Sequence, residues 1–142
     1  MYLSIRGGTK QQRALIEDAA VWSAYKLMDR LAHNIDVDII LKKQDDADGW
    51  CEWMDKNICP REFEIKIQKS LTDEDLILTV IHEMVHVKQM ARGELKEVYH
   101  GGHRHVWKGK TVDKNYKDQP WEKEAYRMQD KLFKEYMNEI KA

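Results

Sequence analysis

The stretch 81–95, IHEMVHVKQMARGEL, holds two histidines four residues apart, with a glutamate directly after the first. On an α-helix, residues four apart lie on one face, so His82 and His86 could both direct an imidazole at one metal ion while Glu83 flanks them. This is the HExxH pattern of zinc hydrolases, in which the histidines are ligands and the glutamate is a general base. The spacing therefore predicts a zinc site and a hydrolytic reaction, provided that the stretch is helical.

The flanking residues predict that helix. Thr72 followed by Asp75 is a helix-start signal, and Gly93 is a plausible stop, so we expect a helix over about residues 72–92. In helical projection its apolar residues spread over one broad side, and the two histidines lie together roughly opposite. Such a helix suits the floor of a cleft, with one side on the core and the other towards a metal and a substrate.

A third metal ligand has to come from another part of the chain, because a catalytic zinc site usually has three protein ligands and an open position for water. In metzincins the third ligand is a histidine six residues after the second motif histidine, but that position here is Arg92, so we exclude that class. Two groups remain: three histidines in a glycine-broken stretch that we interpret as a strand or hairpin, and two glutamates in a C-terminal helix. These candidates are His100, His103, His105, Glu122 and Glu124.

The C-terminal helix distinguishes its two glutamates. Projected at about 100° per residue, Glu122 falls at the margin of the apolar side marked by Trp121, Ala125 and Leu132, whereas Glu124 lies towards lysines and an arginine. A carboxylate directed inward needs a partner, and zinc would supply one. We therefore expect Glu122 to be the third ligand. The alternative is that Glu122 only caps the first turn of its helix and favours the helix dipole.

The rest of the chain supplies the elements that must position this site. Thr9 with Gln12 has the form of a capping box, and the helix formers that follow predict a long first helix over about residues 10–32. In IDVDIILKK and EFEIKIQ, apolar and polar residues alternate, which predicts two half-buried strands. Pro120 favours the start of the C-terminal helix. The segment 43–61 between the strands is interpreted as a loop without chemistry.

Composition limits the class of protein. The chain has 142 residues, with 24 basic and 25 acidic side chains, so we expect one folded domain over 1–142 and no global charge that draws it to nucleic acid or membrane. No run approaches the roughly 18 apolar residues of a membrane span, and the N-terminus lacks a signal-peptide core, so we expect a cytoplasmic location. Cys51 and Cys59 form neither a disulfide framework nor a four-thiolate zinc site.

Three segments together, HEMVHVKQMARGEL, VWKGK and PWEKEA, with Tyr116 ahead of the last, resemble compact bacterial and phage-encoded zinc metallopeptidases of the SprT-like and ImmA/IrrE-like kinds. The resemblance covers about residues 72–130. It implies an α+β, minimal zincin-like fold in which a long N-terminal helix and a small, mainly antiparallel sheet precede the HExxH helix. A later helix then brings the third ligand, and WEKEA is similar to the segment that supplies it in the Glu-type members.

The activity implied is metal-assisted hydrolysis of a peptide bond, in the cytoplasm of a bacterium or a phage-infected host. Zinc would lower the pKa of its bound water towards about 7, and Glu83 would take the proton and pass it to the leaving amine. Tyr116, His103 and His105 are candidate donors to the oxyanion of the tetrahedral intermediate. The strand EFEIKIQ could lie at a sheet edge and hold a protein or peptide substrate by strand addition.

Two alternatives from other classes stay open. The first is a zinc-binding regulatory protein without turnover, against which the presence of Glu83 argues, because a purely structural site has no use for a base. The second is a nucleic-acid-associated protein, because a locally basic run with nearby aromatic residues is opposed only by Asp113. The basic residues of this run are Arg104, Lys108, Lys110, Lys114 and Lys117. DNA binding that weakens as the salt concentration rises would distinguish a nucleic-acid-associated protein from the other two classes.

Overall fold

Three helices and two small sheets make up the part of the chain that the computed structural model describes, which is residues 1–44, 47–55, 59–98, 104–112 and 119–141. The strands are β1 (Tyr2–Arg6), β2 (Asp36–Lys42), β3 (Gly49–Trp53), β4 (Glu62–Gln68), β5 (Leu95–Val98), β6 (Arg104–Trp107) and β7 (Lys110–Val112). The helices are α1 (Lys10–Met28), α2 (Asp73–Ala91) and α3 (Pro120–Lys141). The prediction of an α+β chain is confirmed.

The first helix begins as predicted and ends early. The Gln12 main-chain N–H donates to Thr9 Oγ1 (3.1 Å), and the Thr9 N–H donates to Gln12 Oε1 (2.9 Å), which together form the capping box. The helix stops at Met28, short of the predicted residue 32. Asp29 has a φ of 50°, a left-handed value that interrupts the α-helix, and the chain continues as a short 3₁₀ helix to Asn34.

Both predicted ends of the helix that carries the motif are confirmed. Thr72 Oγ1 accepts a hydrogen bond of 3.2 Å from the Asp75 N–H, and α2 begins between them. Beyond the last helical residue, Gly93 has a φ of 73°, a conformation in which a Cβ would be strained. The two histidines therefore lie within a regular helix, one turn apart.

The four-stranded sheet has the order β1-β2-β4-β3 and mixed strand directions. β1 pairs with β2, and β2 with β4, in parallel, whereas β3 pairs antiparallel with β4. The expectation of a mainly antiparallel sheet is wrong for these strands, although the sheet β5-β6-β7 is wholly antiparallel. α1 connects β1 to β2 and returns the chain to the end of the sheet from which β1 started, so these two strands are parallel. β4 follows the antiparallel strand β3 and lies between β3 and β2, so it runs parallel to β2.

Three strands, β1, β3 and β5, lie where the sequence analysis placed none. β3 falls inside the segment 43–61 that was predicted to be a loop. β3 lacks the usual alternation of apolar inner and polar outer residues. Gly49 and Cys51 share its inner face, whereas the large apolar Trp50 points the other way and is 54% exposed. β3 lies at one edge of the sheet and β1 at the other, so β4 (EFEIKIQ) lies inside the sheet, and the suggestion that it forms a sheet edge is wrong.

The inner face of the sheet forms one core with the helices. β2 and β4 alternate between buried and outward residues, as predicted, and their buried side chains are Val37, Ile39, Leu41, Phe63, Ile65 and Ile67. Burying each such side chain stabilises the fold by about 1.5–3 kcal/mol. α2 contacts α1 and α3 as well as β3 and β4, so it is the central helix of the structure. This position fixes where the motif side chains lie.

The C-terminal helix α3 begins at Pro120, as predicted, and extends over 22 residues. Its buried residues include Trp121, Ala125 and Leu132, which the helical projection placed on the inner side. Within the described residues, no helix combines the length and the apolar composition that crossing a membrane requires.

Polar contacts attach the C-terminal part of α3 to α1. The Tyr136 hydroxyl donates to Asp18 Oδ2 (2.5 Å), and the Tyr136 ring meets the edge of Trp22 with ring centroids 5.2 Å apart. The Trp22 indole N–H donates to Glu139, which also pairs with Lys26 at 3.2 Å. Burial raises the pKa of Tyr136, and the hydrogen bond to Asp18 raises it further. The phenol therefore stays protonated and keeps donating.

We expect Tyr136→Phe to lower the free energy of unfolding by about 1–2 kcal/mol, because it removes a hydrogen bond to a charged acceptor and leaves the ring in place. Urea unfolding measures the change. Tyr25→Phe is the matched control, since the Tyr25 hydroxyl is 3.5 Å from His33 Nδ1 in a partly exposed position. That variant should change the stability by less than about 0.5 kcal/mol. Equal losses in the two variants would contradict a stabilising bond to Asp18.

Candidate metal centre

The structure brings together two histidines of α2 and one glutamate from the first turn of α3. His86 Nε2 lies 2.6 Å from Glu122 Oε1, and His82 Nε2 lies 3.4 Å from Glu122 Oε2. One ligand atom from each of the three side chains lies within 4.8 Å of the others. The residues predicted to be metal ligands are thus neighbours, although they come from elements about 40 residues apart in sequence.

The chemistry of this donor set suits zinc. Two imidazole nitrogens and one carboxylate oxygen are the protein ligands of a well-known type of catalytic zinc site. Ligand atoms that lie about 2.0–2.2 Å from a tetrahedral zinc are about 3.3–3.6 Å from one another. The distance of 3.4 Å between His82 Nε2 and Glu122 Oε2 has that spacing. The distance of 2.6 Å between His86 Nε2 and Glu122 Oε1 is a direct hydrogen bond, which would lengthen when a metal binds. His82, His86 and Glu122 could therefore hold one zinc ion with little rearrangement.

Electrostatics favours positive charge at this group. Burial alone would raise the pKa of Glu122, but hydrogen bonds from His82 and His86 and their charges outweigh burial, so the pKa falls well below its usual range. Burial alone would lower the pKa of His86, but the hydrogen bond to Glu122 and the negative charges of Glu83 and Glu122 outweigh it, so the pKa rises. An ionised carboxylate thus faces two imidazoles, an arrangement that a cation can stabilise.

Glu83 lies beside the histidines and is almost completely buried, with 5% of its surface exposed. Its Oε2 has no hydrogen-bond partner among the described residues, which is unusual for a buried carboxylate. Burial raises the pKa of Glu83, and the charges of His86 and His82 reduce that rise without cancelling it. A buried carboxylate with an oxygen left for a further partner is what a general base for water requires.

The group opens into a cleft of about 1130 Å³. All five residues of β3 line it, together with His82, Glu83, His86 and Glu122. Tyr126 and Gln129 of α3 line it as well. The segment that the sequence analysis left without chemistry therefore forms a wall of the site, and nothing in its local pattern indicated this.

Each histidine has an amide partner on its other ring nitrogen. His82 Nδ1 lies 2.8 Å from Gln129 Oε1, and His86 Nδ1 lies 2.8 Å from Gln89 Oε1. The sequence analysis identified neither glutamine. Gln89 had a usable signal, because it follows His86 by three residues and so shares its helix face. Gln129 had none, because it belongs to another helix.

The environment predicted for Glu124 is wrong. We expected a solvated carboxylate near the basic residues of its own helix, but Glu124 is only 8% exposed. It accepts hydrogen bonds from Gln89 Nε2 (3.2 Å), Lys88 Nζ (3.3 Å) and Lys108 Nζ (3.4 Å). Burial alone would raise its pKa, but these partners outweigh burial and lower it. Its partners come from α2 and from the turn between β6 and β7, which a projection of α3 cannot include.

The remaining candidates stand apart from this group. His105 lines the cleft, but its Nε2 lies 3.2 Å from Glu97 Oε1 and its ring stacks on Trp121 with centroids 4.8 Å apart. Tyr116, the predicted oxyanion donor, lies outside the described residues, as do His100 and His103. Lys114 and Lys117 of the predicted basic run also lie outside them, as does Asp113, which opposes the run.

Comparisons with known proteins were made for the whole chain. No protein-family model, curated protein or solved structure matches it. The assignment of a function therefore rests on the geometry and chemistry of the site.

We expect Gly49→Ala to destabilise the protein by about 1–3 kcal/mol, because the new methyl group overpacks the contact between β3 and α2. A Cβ at Gly49 would lie 2.6 Å from Thr79 Cγ2 and 3.2 Å from Glu83 Cγ. Adding Thr79→Ser removes that Cγ2 and should restore part of the loss, which a double-mutant cycle of urea unfolding measures. Parental stability in Gly49→Ala would contradict this close contact.

Proposed function

We propose that the protein is a zinc metallopeptidase. The observation that carries the proposal is the grouping of His82, His86 and Glu122 on the floor of an open cleft, with the buried carboxylate of Glu83 beside them. A structural zinc site is usually closed by four protein ligands, whereas a catalytic site has three and stays accessible. Three donors in an open cleft favour the catalytic type. The arrangement of α2 and α3 around the group supports a minimal zincin-like organisation, as the resemblance implies.

The chain's own residues have distinct parts in the proposed reaction. Zinc held by His82, His86 and Glu122 would act as a Lewis acid and lower the pKa of water towards about 7. Glu83 accepts a proton from the attacking water and returns it to the leaving amine. Its Oε2, which has no partner among the described residues, is the atom available for that proton. Its burial keeps the carboxylate out of competing contacts with solvent.

The cleft wall supports a peptide as the substrate. β3 lies at the edge of its sheet, pairs with β4, and lines the cleft with all five of its residues. The unpaired edge of a strand offers main-chain donors and acceptors to an extended peptide, which binds by adding a strand. We infer that β3, rather than the interior strand β4, holds the substrate next to Glu83.

The nucleic-acid alternative is weakened by the position of Lys108. This residue of the predicted basic run lies 3.4 Å from Glu124 Oε2 and 5.0 Å from the centre of the Trp107 ring. Part of its charge is therefore compensated within the protein. We retain metal-dependent peptide hydrolysis as the proposed function.

The purified protein is expected to carry about one zinc per chain, since the site supplies one set of three ligands. Replacing both His82 and His86 by Ala should remove the metal, whereas His33→Ala should retain it. His33 is the control because it is an exposed histidine whose ring packs on Tyr25. Elemental analysis after dialysis against a weak chelator gives the stoichiometry. Full zinc content in the double variant would exclude the proposed ligands.

Glu83→Gln should keep zinc and fold but lose hydrolysis by about 10²- to 10⁴-fold, because the amide preserves the shape of the side chain and cannot act as the base. The assay follows new amino termini released from an unfolded protein substrate. Glu74→Gln, an exposed glutamate on the same helix, is the control and should keep activity. An active Glu83→Gln protein would refute the role of the base. A zinc-loaded parent that cleaves nothing would favour the regulatory alternative.

A further inference from the structure

Gln89 is a completely buried amide next to the candidate metal centre, with 0% of its surface exposed. Burying an amide is costly unless both of its groups have partners, and here both do. Its Oε1 lies 2.8 Å from His86 Nδ1. Its Nε2 donates to the main-chain oxygen of Trp121 (2.9 Å) and to Glu124 Oε1 (3.2 Å).

These partners determine which way the amide points. A main-chain carbonyl and an ionised carboxylate can only accept hydrogen bonds, so the group that faces Trp121 O and Glu124 must be the NH₂ of Gln89. The oxygen of Gln89 then faces His86, and it too can only accept. His86 must therefore carry a proton on Nδ1, and its Nε2 is the nitrogen available to a metal. Without a metal, Nε2 donates to the ionised Glu122, 2.6 Å away, and a bound metal would take the place of that proton.

Glu124 is itself held in place by two cations. Lys88 Nζ lies 3.3 Å from its Oε1, and Lys108 Nζ lies 3.4 Å from its Oε2. Lys88 is also only 2.8 Å from Glu94, so it is fixed from a second side. With both oxygens engaged, Glu124 stays an ionised acceptor for Gln89 and does not join the group formed by His82, His86 and Glu122.

The other histidine offers a natural comparison. Gln129 Oε1 lies 2.8 Å from His82 Nδ1, but Gln129 is only partly buried. Among the described residues, the structure gives its Nε2 no hydrogen-bond acceptor. The Gln129 amide can therefore turn over and present either end to His82, whereas the Gln89 amide cannot.

We propose that Glu124 and Gln89 are positioning residues for the metal centre. Glu124 and the main-chain oxygen of Trp121 orient the Gln89 amide. The amide holds a proton on His86 Nδ1, so that Nε2 is the nitrogen that faces the metal. Glu124, the other glutamate considered as the third ligand, acts on the metal centre only through Gln89 and is not itself a ligand. The proposal rests on the proposed function only in naming zinc as the metal, because Gln89 holds the Nδ1 proton of His86 whether Nε2 faces a metal or Glu122.

The first measurement is zinc affinity, by competition with a chelator. Gln89→Leu keeps the approximate size of the side chain and removes both of its hydrogen-bonding groups, and it should weaken zinc binding by about 10–100-fold. Gln129→Leu is the matched control at His82 and should weaken it less. Glu122→Ala should weaken it more than either, because a ligand is lost. An unchanged affinity in Gln89→Leu, or a greater loss in Gln129→Leu, would overturn the proposal.

The second measurement is ¹⁵N NMR of the histidine rings in metal-free protein, made in the Glu122→Ala background so that no carboxylate of α3 holds His86 Nε2. At a pH where the ring is neutral, His86 should carry its proton on Nδ1, although free histidine in water favours Nε2. Gln89→Leu, which removes the acceptor that faces Nδ1, should return the ring towards the free tautomer ratio. Glu124→Gln should shift the ratio in the same direction but less, because the main-chain oxygen of Trp121 still accepts from the Gln89 NH₂. The folded state of each variant is checked in the same spectra.

The two measurements separate this proposal from the proposed function. An Nε2–H tautomer of His86, or a tautomer that Gln89→Leu leaves unchanged, would overturn the positioning role of Gln89 even in a protein that binds zinc and cleaves peptides. A ratio that Glu124→Gln leaves at the parental value would overturn the role of Glu124. An Nδ1–H tautomer that is lost in Gln89→Leu would support the proposal even if the parent showed no hydrolysis.

Discussion

The docking of α3 against α2 is the contact on which the site depends. α2 is the central helix, yet three polar side chains on it, Glu83, His86 and Gln89, are buried. Burying such groups is unfavourable unless each finds a partner, and α2 itself supplies only the contact between His86 and Gln89. α3 supplies further partners through Glu122 and Glu124, and through the main-chain oxygen of Trp121. The same contact therefore satisfies the interior and assembles the candidate metal centre.

Glu83 differs from His86 and Gln89, because the contact between α2 and α3 does not satisfy all of its polar atoms. One of its carboxylate oxygens has no partner among the described residues, although the side chain is almost fully enclosed beneath β3. Gly49 permits this enclosure, because a side chain at that position would collide with Thr79 and press on Glu83. Natural proteins retain such unsatisfied groups mainly where function requires them. The incomplete bonding of Glu83 and the complete bonding of Gln89 thus fit a base and a support, respectively.

The small antiparallel sheet belongs to the same support. The Glu94 N–H donates to the main-chain oxygen of Gln89 (2.8 Å), and the Lys108 N–H donates to the main-chain oxygen of Glu94 (2.7 Å). With the side chains of Lys88 and Lys108 on Glu124, these bonds connect the end of α2, the turn between β6 and β7, and the start of α3. The face of α2 that carries the candidate metal centre is therefore supported by a network of charged and main-chain groups.

Local features were readable from the sequence alone because they depend on neighbouring residues. The capping box at Thr9, the ends of α2, the alternation in β2 and β4, and the i, i+4 spacing of His82 and His86 are of this kind. The helical projection also placed Glu122 on the side of α3 where His82 and His86 lie. The tertiary structure alone decided the rest: the parallel pairings, the edge strand β3, the burial of Glu124 and the orientation of Gln89. Each depends on which groups from distant segments meet, and the periodicity of a single element describes its own faces without indicating what packs against them.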